Sequence, residues 1–222
     1  KRMDWDTTRG KLSFDKIINS FAKQEIDILI GTQMITKGLD FKNIGLVGVI
    51  NTDHFLNFPD FRAHEKAFQI LTQVAGRSGR SGDRGKVFMQ TYQPDHPIIK
   101  NVIENDYEKM YKNQLLERKD YNYPPFVRLI RITIKDKSYE KLNSSGDWLN
   151  RVIRDNYKGI VLGPVYPEIS RIKNKYHKQF LIKLRNLDEL NRFRSIFQKI
   201  QKSFDSISKY RSVRIIVDVD PI

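Results

Sequence analysis

Gln73, Arg77 and Arg80, in the run Gln73-Val74-Ala75-Gly76-Arg77-Ser78-Gly79-Arg80, are the residues of this chain best suited by type and spacing to phosphate chemistry. If the run is helical they fall at i, i+4 and i+7 and project from one face. A guanidinium presents a planar fork of donors that pairs two-pronged with phosphate oxygens and stabilises charge on a phosphoryl group in transfer. Gly76 and Gly79 lie beside that face and let a backbone or a phosphate approach closely. The plain alternative is a solvated helix end making surface ion pairs. Two glycines count against it, because each costs about 1 kcal/mol relative to Ala in a helix.

A second run, Gly31-Thr32-Gln33-Met34-Ile35-Thr36-Lys37-Gly38-Leu39-Asp40-Phe41, joins an apolar strand to a polar turn. It is not a phosphate-binding P-loop, which needs Gly-Lys followed by Ser or Thr; here the lysine precedes the glycine. Thr32, Lys37 and Gly38 nevertheless stand at the carboxyl end of a strand, where open α/β sheets bind their ligands. A third run, Arg171-Ile172-Lys173-Asn174-Lys175-Tyr176-His177-Lys178, reads as a basic hairpin with aromatics interleaved. Arg171, Lys173, Lys175 and Lys178 suit phosphate contact beside base stacking; a charged turn between two strands stays open as the alternative. Asp218 and Asp220 are read on the same face of the last strand, and pairing with Lys or Arg accounts for them more readily than a metal does.

The elements that must position these runs fall into two rhythms. Residues 27–30, 46–50 and 87–90 are short, nearly continuous apolar strands, separated by helices over 11–23 and 63–75. That pattern predicts a parallel sheet covered on both faces. His96-Pro97 opens a charged stretch with helical apolar spacing, and the Tyr123-Pro124-Pro125 segment closes it, since prolines cannot continue a helix. Beyond it, residues 129–134 alternate as a half-buried strand, and helices over 139–153 and 187–204 punctuate strands at 160–162, 168–172, 180–184 and 213–219. The order approximates β-α-β-β-α-β, a small α+β layer. The expected organisation is therefore an α/β unit at 1–95, a helical connector at 96–123 and an α+β domain at 124–222.

Composition sets the outer limits. The 222 residues carry a net charge of +14, and the second part dominates it: residues 125–222 hold 21 basic and 10 acidic side chains, against 19 and 16 before them. A phosphate backbone rewards such a surface by releasing condensed counterions; solubilising charge is the alternative. There is no cysteine, and His54, His64, His96 and His177 are scattered without ligand spacing, so no metal site is expected in this chain. No apolar run approaches the ~20 residues that span a bilayer. The opening residues KRMDWDTTRG, without an initiator Met or signal peptide, read as mid-protein sequence, and a soluble cytoplasmic fragment is expected.

With these residues in hand, a resemblance becomes specific. QVAGRSGR is similar to motif VI of superfamily 2 helicases and GTQMITKGLDF to their motif V. The intervening LVGVINTDHFLNFPDFRAHEKAFQILT, the flanking RMDWDTTRGK and QTYQPDHPII, the YPPF segment and the terminal VDVDP together resemble the PriA family of bacterial replication-restart helicases, from Arg2 to Pro221. The resemblance implies a partial recA-like second helicase lobe followed by the family's small C-terminal domain. It implies that Arg80 is an arginine finger, Arg77 its companion and Gln73 a residue at the interlobe cleft. Gly38 and Asp40 would couple nucleotide to DNA, and Thr32 and Lys37 would contact the single strand. Asp40 fits the general superfamily pattern rather than the His expected in much of the family. ATP and Mg²⁺ would be held mainly by a first lobe, and the family's zinc by ligands outside this chain. The implied activity is ATP-dependent 3′→5′ unwinding at stalled forks in the bacterial cytoplasm, close to the nucleoid. The implied partners are forked and single-stranded DNA, the single-stranded DNA-binding protein and other primosome proteins, with no membrane. A chain with neither a Walker A lysine nor an acidic box is expected to be inactive in hydrolysis by itself. A non-catalytic nucleic-acid-binding module and a RecG-like translocase are the competing readings.

Overall fold

The computed structural model describes residues 1–8, 13–32, 44–78 and 85–221, and the chain divides into two units, Lys1–Leu115 and Leu116–Ile222. In the first unit β1 (Arg2–Met3) pairs in parallel with β2 (Ile30–Gly31), and β3 (Leu46–Val49) in parallel with β4 (Lys86–Met89). Parallel partners need crossovers. These contain α1 (Ser13–Ala22) between the first pair, and α2 (Asp53–Leu56) and α3 (Ala63–Ala75) between the second. The parallel pairing and flanking helices agree with the α/β reading. The second strand is shorter than its apolar run, because ladder pairing starts only at Ile30.

The side chains of α3 show why it is a helix with a buried face. Ala63, Ala67, Phe68, Leu71 and Val74 recur at helical spacing and are all buried. Next come α4 (Pro97–Glu104) and α5 (Tyr107–Asp120). His96 caps α4 by accepting the Ile98 amide at Nδ1, 3.2 Å away, and Pro97 takes the first helical position, where no amide is needed. Asn105 ends α4 in the left-handed region at φ 53°. Ile98, Ile99 and Val102 pack with Ala67, Phe68 and Leu71 of α3, with Leu56 and with Met110. The Asp53 carboxylate accepts from Thr91 Oγ1 at 2.8 Å and from the Tyr92 amide at 3.0 Å, fastening α2 to the segment after β4.

The second unit runs β5 (Arg128–Asp136), α6 (Tyr139–Asn156), β6 (Ile160–Val165), β7 (Arg171–Ile172), β8 (Lys175–Leu184), α7 (Leu187–Ser206) and β9 (Arg214–Val219). The sheet order is β6-β8-β5-β9, antiparallel throughout, with β7 attached to β8. That is close to the β-α-β-β-α-β layer read from the sequence, with the strand expected at 168–172 reduced to the two residues of β7. Alternation sets its two faces. Ile130, Ile132 and Ile134 stand opposite Ile182, Phe180 and Lys178, and the apolar members of this set form the core with Leu142, Leu149 and Ile153 of α6 and Phe193, Phe197, Ile200 and Phe204 of α7. The intervening positions, Arg131, Thr133 and Lys135 opposite Leu181, Gln179 and His177, make the other face. Ser138 and Asn186 cap the helices by accepting the Lys141 and Glu189 amides.

At the far edge, Asp220, at φ 48°, accepts from Arg128 Nε at 3.1 Å, Nη2 at 2.7 Å and the Leu129 amide at 3.1 Å. Its own amide returns a bond of 2.7 Å to Leu129 O. The carboxylate is thus committed to a guanidinium and a backbone amide.

The face assignment makes a testable contrast. Ile132→Ala, at a fully buried position, should lower the unfolding free energy of the second unit by about 2–5 kcal/mol in urea titrations. Ile216→Ala, on the other face, should cost less than about 1 kcal/mol. Equal losses would contradict the assignment.

Candidate functional site

In the first unit, the described candidate residues lie at the ends of elements. Thr32 is exposed and directly follows β2, at the carboxyl end of a parallel strand. Gln73 is exposed near the end of α3, and Arg77 is half-buried just beyond it. The α-helical register that aligned Gln73, Arg77 and Arg80 stops at Ala75. The Gly76 amide still bonds Thr72 O, but the Arg77 and Ser78 amides bond Val74 O and Ala75 O three residues back. Such tightening is usual at a helix end, and Gly76, at φ −68° and ψ 0°, occupies the C-cap. Lys37, Gly38, Asp40 and Arg80 lie outside the described residues.

In the second unit the basic run is a two-residue hairpin. Ile172 pairs with Lys175, and Lys173 and Asn174 between them have φ of 47° and 64°, the signs of a type I′ turn. Arg171, Lys173 and Lys175 are carried on or beside this turn, the first exposed and paired through its guanidinium with Asn174 Oδ1. Strand alternation places Lys178 on the face opposite to that of Lys175. Lys178 lies on the helix face opposite Ile134 and is only 9% exposed. Gly146 of α6 makes room for it: a Cβ there would lie 3.3 Å from Ile134 Cδ1 and 3.4 Å from Lys178 Cδ. The Lys178 ammonium sits 5.1 Å from the Tyr166 ring centroid.

Around that buried cation is a group of tyrosines that the sequence reading did not single out. Tyr139 and Tyr166 hold their rings parallel within 3°, with centroids 5.9 Å apart, and Tyr176 meets Tyr139 edge-on at 5.5 Å. The Arg171 guanidinium lies 5.0 Å over the Tyr176 ring. The Tyr166 hydroxyl donates to Asn143 Oδ1 at 2.6 Å. Burial and the hydrogen bond with Tyr139 push the Tyr166 phenol up to about 12, whereas its hydrogen bonds to Tyr166 and Asn143 hold Tyr139 below the ordinary value. The three tyrosines come from the start of α6, the residue after β6 and the start of β8, so only the sheet brings them together. Tyr176 alone lay in a run with a compositional signal.

The same end of the other face is positively charged. His177 stands opposite Lys135, and its imidazole pKa is lowered by burial and then by the charges of Lys135 and Lys175. At the opposite end Lys183, 6% exposed, donates to Tyr121 O at 2.6 Å and lies 3.6 Å from the Tyr123 ring centroid; burial pushes its pKa down. Lys183 thus ties the segment before Pro124 to the sheet. Among the described residues no cluster of His, Asp or Glu is suited to a metal ion, and no helix is long and apolar enough to cross a membrane.

Comparison with known proteins agrees with this two-unit arrangement. Residues 9–82 match the helicase conserved C-terminal domain, so the first unit is of the recA-like second-lobe class. Residues 119–222 match the primosomal protein N C-terminal domain. The chain is 37% identical over 222 residues to the replication restart protein PriA of Bacillus subtilis (strain 168), covering 99% of this chain and 27% of that relative. It is 41% identical over 223 residues to the PriA of Chlamydia muridarum, covering 100% of this chain and 29% of the relative. The PriA of Borreliella burgdorferi is 35% identical over 230 residues, with 33% of its length covered. The chain belongs to the PriA family, and it spans about a third or less of the length of these relatives.

The charge around His177 is open to direct measurement. In an NMR titration its midpoint should fall below the ordinary imidazole value of about 6.5, and Lys135→Gln should raise it, because a repelling cation is removed. A midpoint that does not move would contradict the pairing across β5 and β8.

Proposed function

We propose that this chain is the part of an ATP-dependent 3′→5′ DNA helicase, acting in replication restart, that supplies an arginine finger and holds DNA. One observation carries the reading: a helicase C-terminal domain and a primosomal C-terminal domain follow each other in a chain similar throughout to replication restart proteins. Arg80 stabilises charge on the γ-phosphate of an ATP bound with Mg²⁺ chiefly by another lobe, and Arg77 assists it. Gln73 orients the same segment, Gly38 and Asp40 couple nucleotide to DNA, and Thr32 and Lys37 contact the single strand. Support for Thr32 comes from its position at the carboxyl end of a parallel strand, where ligands meet α/β sheets; for Gln73 and Arg77 it comes from their place in a run similar to a helicase motif within the matched helicase domain.

The second unit holds forked or single-stranded DNA. Its excess of basic side chains supports this, as does the exposed turn with Arg171, Lys173 and Lys175. Lys178 adds its charge from beneath Tyr166. In the whole protein the single-stranded DNA-binding protein and other primosome proteins are its partners, zinc is bound by residues outside this chain, and the work is done in the bacterial cytoplasm.

Two assays test the division of labour. The purified chain should hydrolyse no ATP above background. In the intact helicase, Arg80→Ala should cut ATP turnover by ~10³–10⁵, the range of arginine fingers, with DNA affinity unchanged. Robust turnover by the chain alone, or full activity of the variant, would overturn the reading.

A further inference from the structure

We infer that Tyr139 and Tyr166 form a stacking platform for an unpaired base at the hairpin end of the second unit's sheet. The inference rests on the DNA-holding reading and deepens it by assigning a subsite to residues outside the basic run.

Two large aromatic side chains here remain open to water: Tyr139 is 52% exposed and Tyr166 37%. Exposed aromatic surface forgoes the gain of burial, about 25 cal/mol per Å², yet both rings are held in place. Tyr166 is fixed by its bond to Asn143 Oδ1 and by Lys178 beneath it. Tyr139 is the first residue of α6, set by the Ser138 cap and braced edge-on by Tyr176. The two rings stack on each other with planes 3° apart, so the aromatic surface they leave open is already ordered before a ligand arrives. A base that stacks on it orders no further rotamers, which is where much of the cost of binding lies.

The surroundings select a polyanion. Arg171 packs on Tyr176, Lys178 lies under Tyr166, and Lys135, Lys175 and His177 add charge at the same end of the sheet from its other face. Asp147 is the carboxylate whose charge acts on Tyr166. The N-terminus of α6 adds its positive dipole end beside Tyr139. Aromatic planes set among cations are how proteins bind single strands without reading sequence, since every base has a π-face. A duplex offers no free base face except at its ends, so the platform favours an unpaired nucleotide next to phosphates held by Arg171 and Lys175.

The test uses the full 222-residue chain, a fluorescent oligothymidylate and a duplex of the same length, read by anisotropy across a salt series. Tyr139→Ala should weaken oligothymidylate binding by about 5- to 150-fold, with the salt slope and the duplex affinity unchanged. Tyr139→Phe, which keeps the ring, should retain the affinity and so exclude a folding defect. Lys175→Gln should instead reduce the salt slope by about 1. If wild type binds the oligonucleotide and Tyr139→Ala binds it equally well, the platform is refuted while DNA holding stands. If wild type binds neither oligonucleotide nor duplex, the DNA-holding reading itself falls, and the platform with it.

Discussion

The antiparallel ladder between β5 and β8 is the interaction on which the second unit depends. It runs unbroken from Arg128 opposite Leu184 to Asp136 opposite Tyr176, and both of its edges are used, by β9 and by β6. Because side chains alternate, this single register decides which residues are core and which are available for contact. A slip of β8 by one position against β5 would carry Phe180 to the other face and put Leu181 beneath the helices. The register also makes the hairpin end of the sheet chemically distinct, since the β5–α6 turn, the end of β6 and the start of β8 all converge there.

That convergence explains how a basic, polar segment sits against an apolar core. Lys178 enters the helix layer because Gly146 leaves space for its chain and Tyr166 gives its ammonium a π-face. Lys183, on the opposite face, solves the same problem with a backbone carbonyl and the Tyr123 ring. Buried charge is costly unless compensated. In both cases an aromatic ring is among the compensating groups.

Much of this architecture was legible in the sequence. The alternation over 129–134 gave β5, the apolar spacing over 187–204 gave α7, and the switch from parallel to antiparallel rhythm separated the two halves in kind. Less legible was β8. Its first half, Lys175 to Gln179, is polar on both faces, so periodicity identified a strand only from Phe180 onward. The face of Lys178 followed from the register of that hidden half. Tyr139 and Tyr166 were invisible for a related reason, being 27 residues apart and brought together only by neighbouring strands. In the first unit, α3 was plain from its buried stripe, but the single-face alignment of Gln73 with Arg77 assumed α-helix beyond Ala75, where the turn tightens to bonds three residues back.

A direct measurement of where DNA touches the chain bears on all of this. Photocrosslinking of the full chain to a 5-bromodeoxyuridine-substituted single strand, with the adducts mapped by mass spectrometry, should place crosslinks at Tyr139, Tyr166 and Tyr176 and within the Arg171–Lys175 turn. Crosslinks confined to the outer surface of α7, with none at that end of the sheet, would contradict the account.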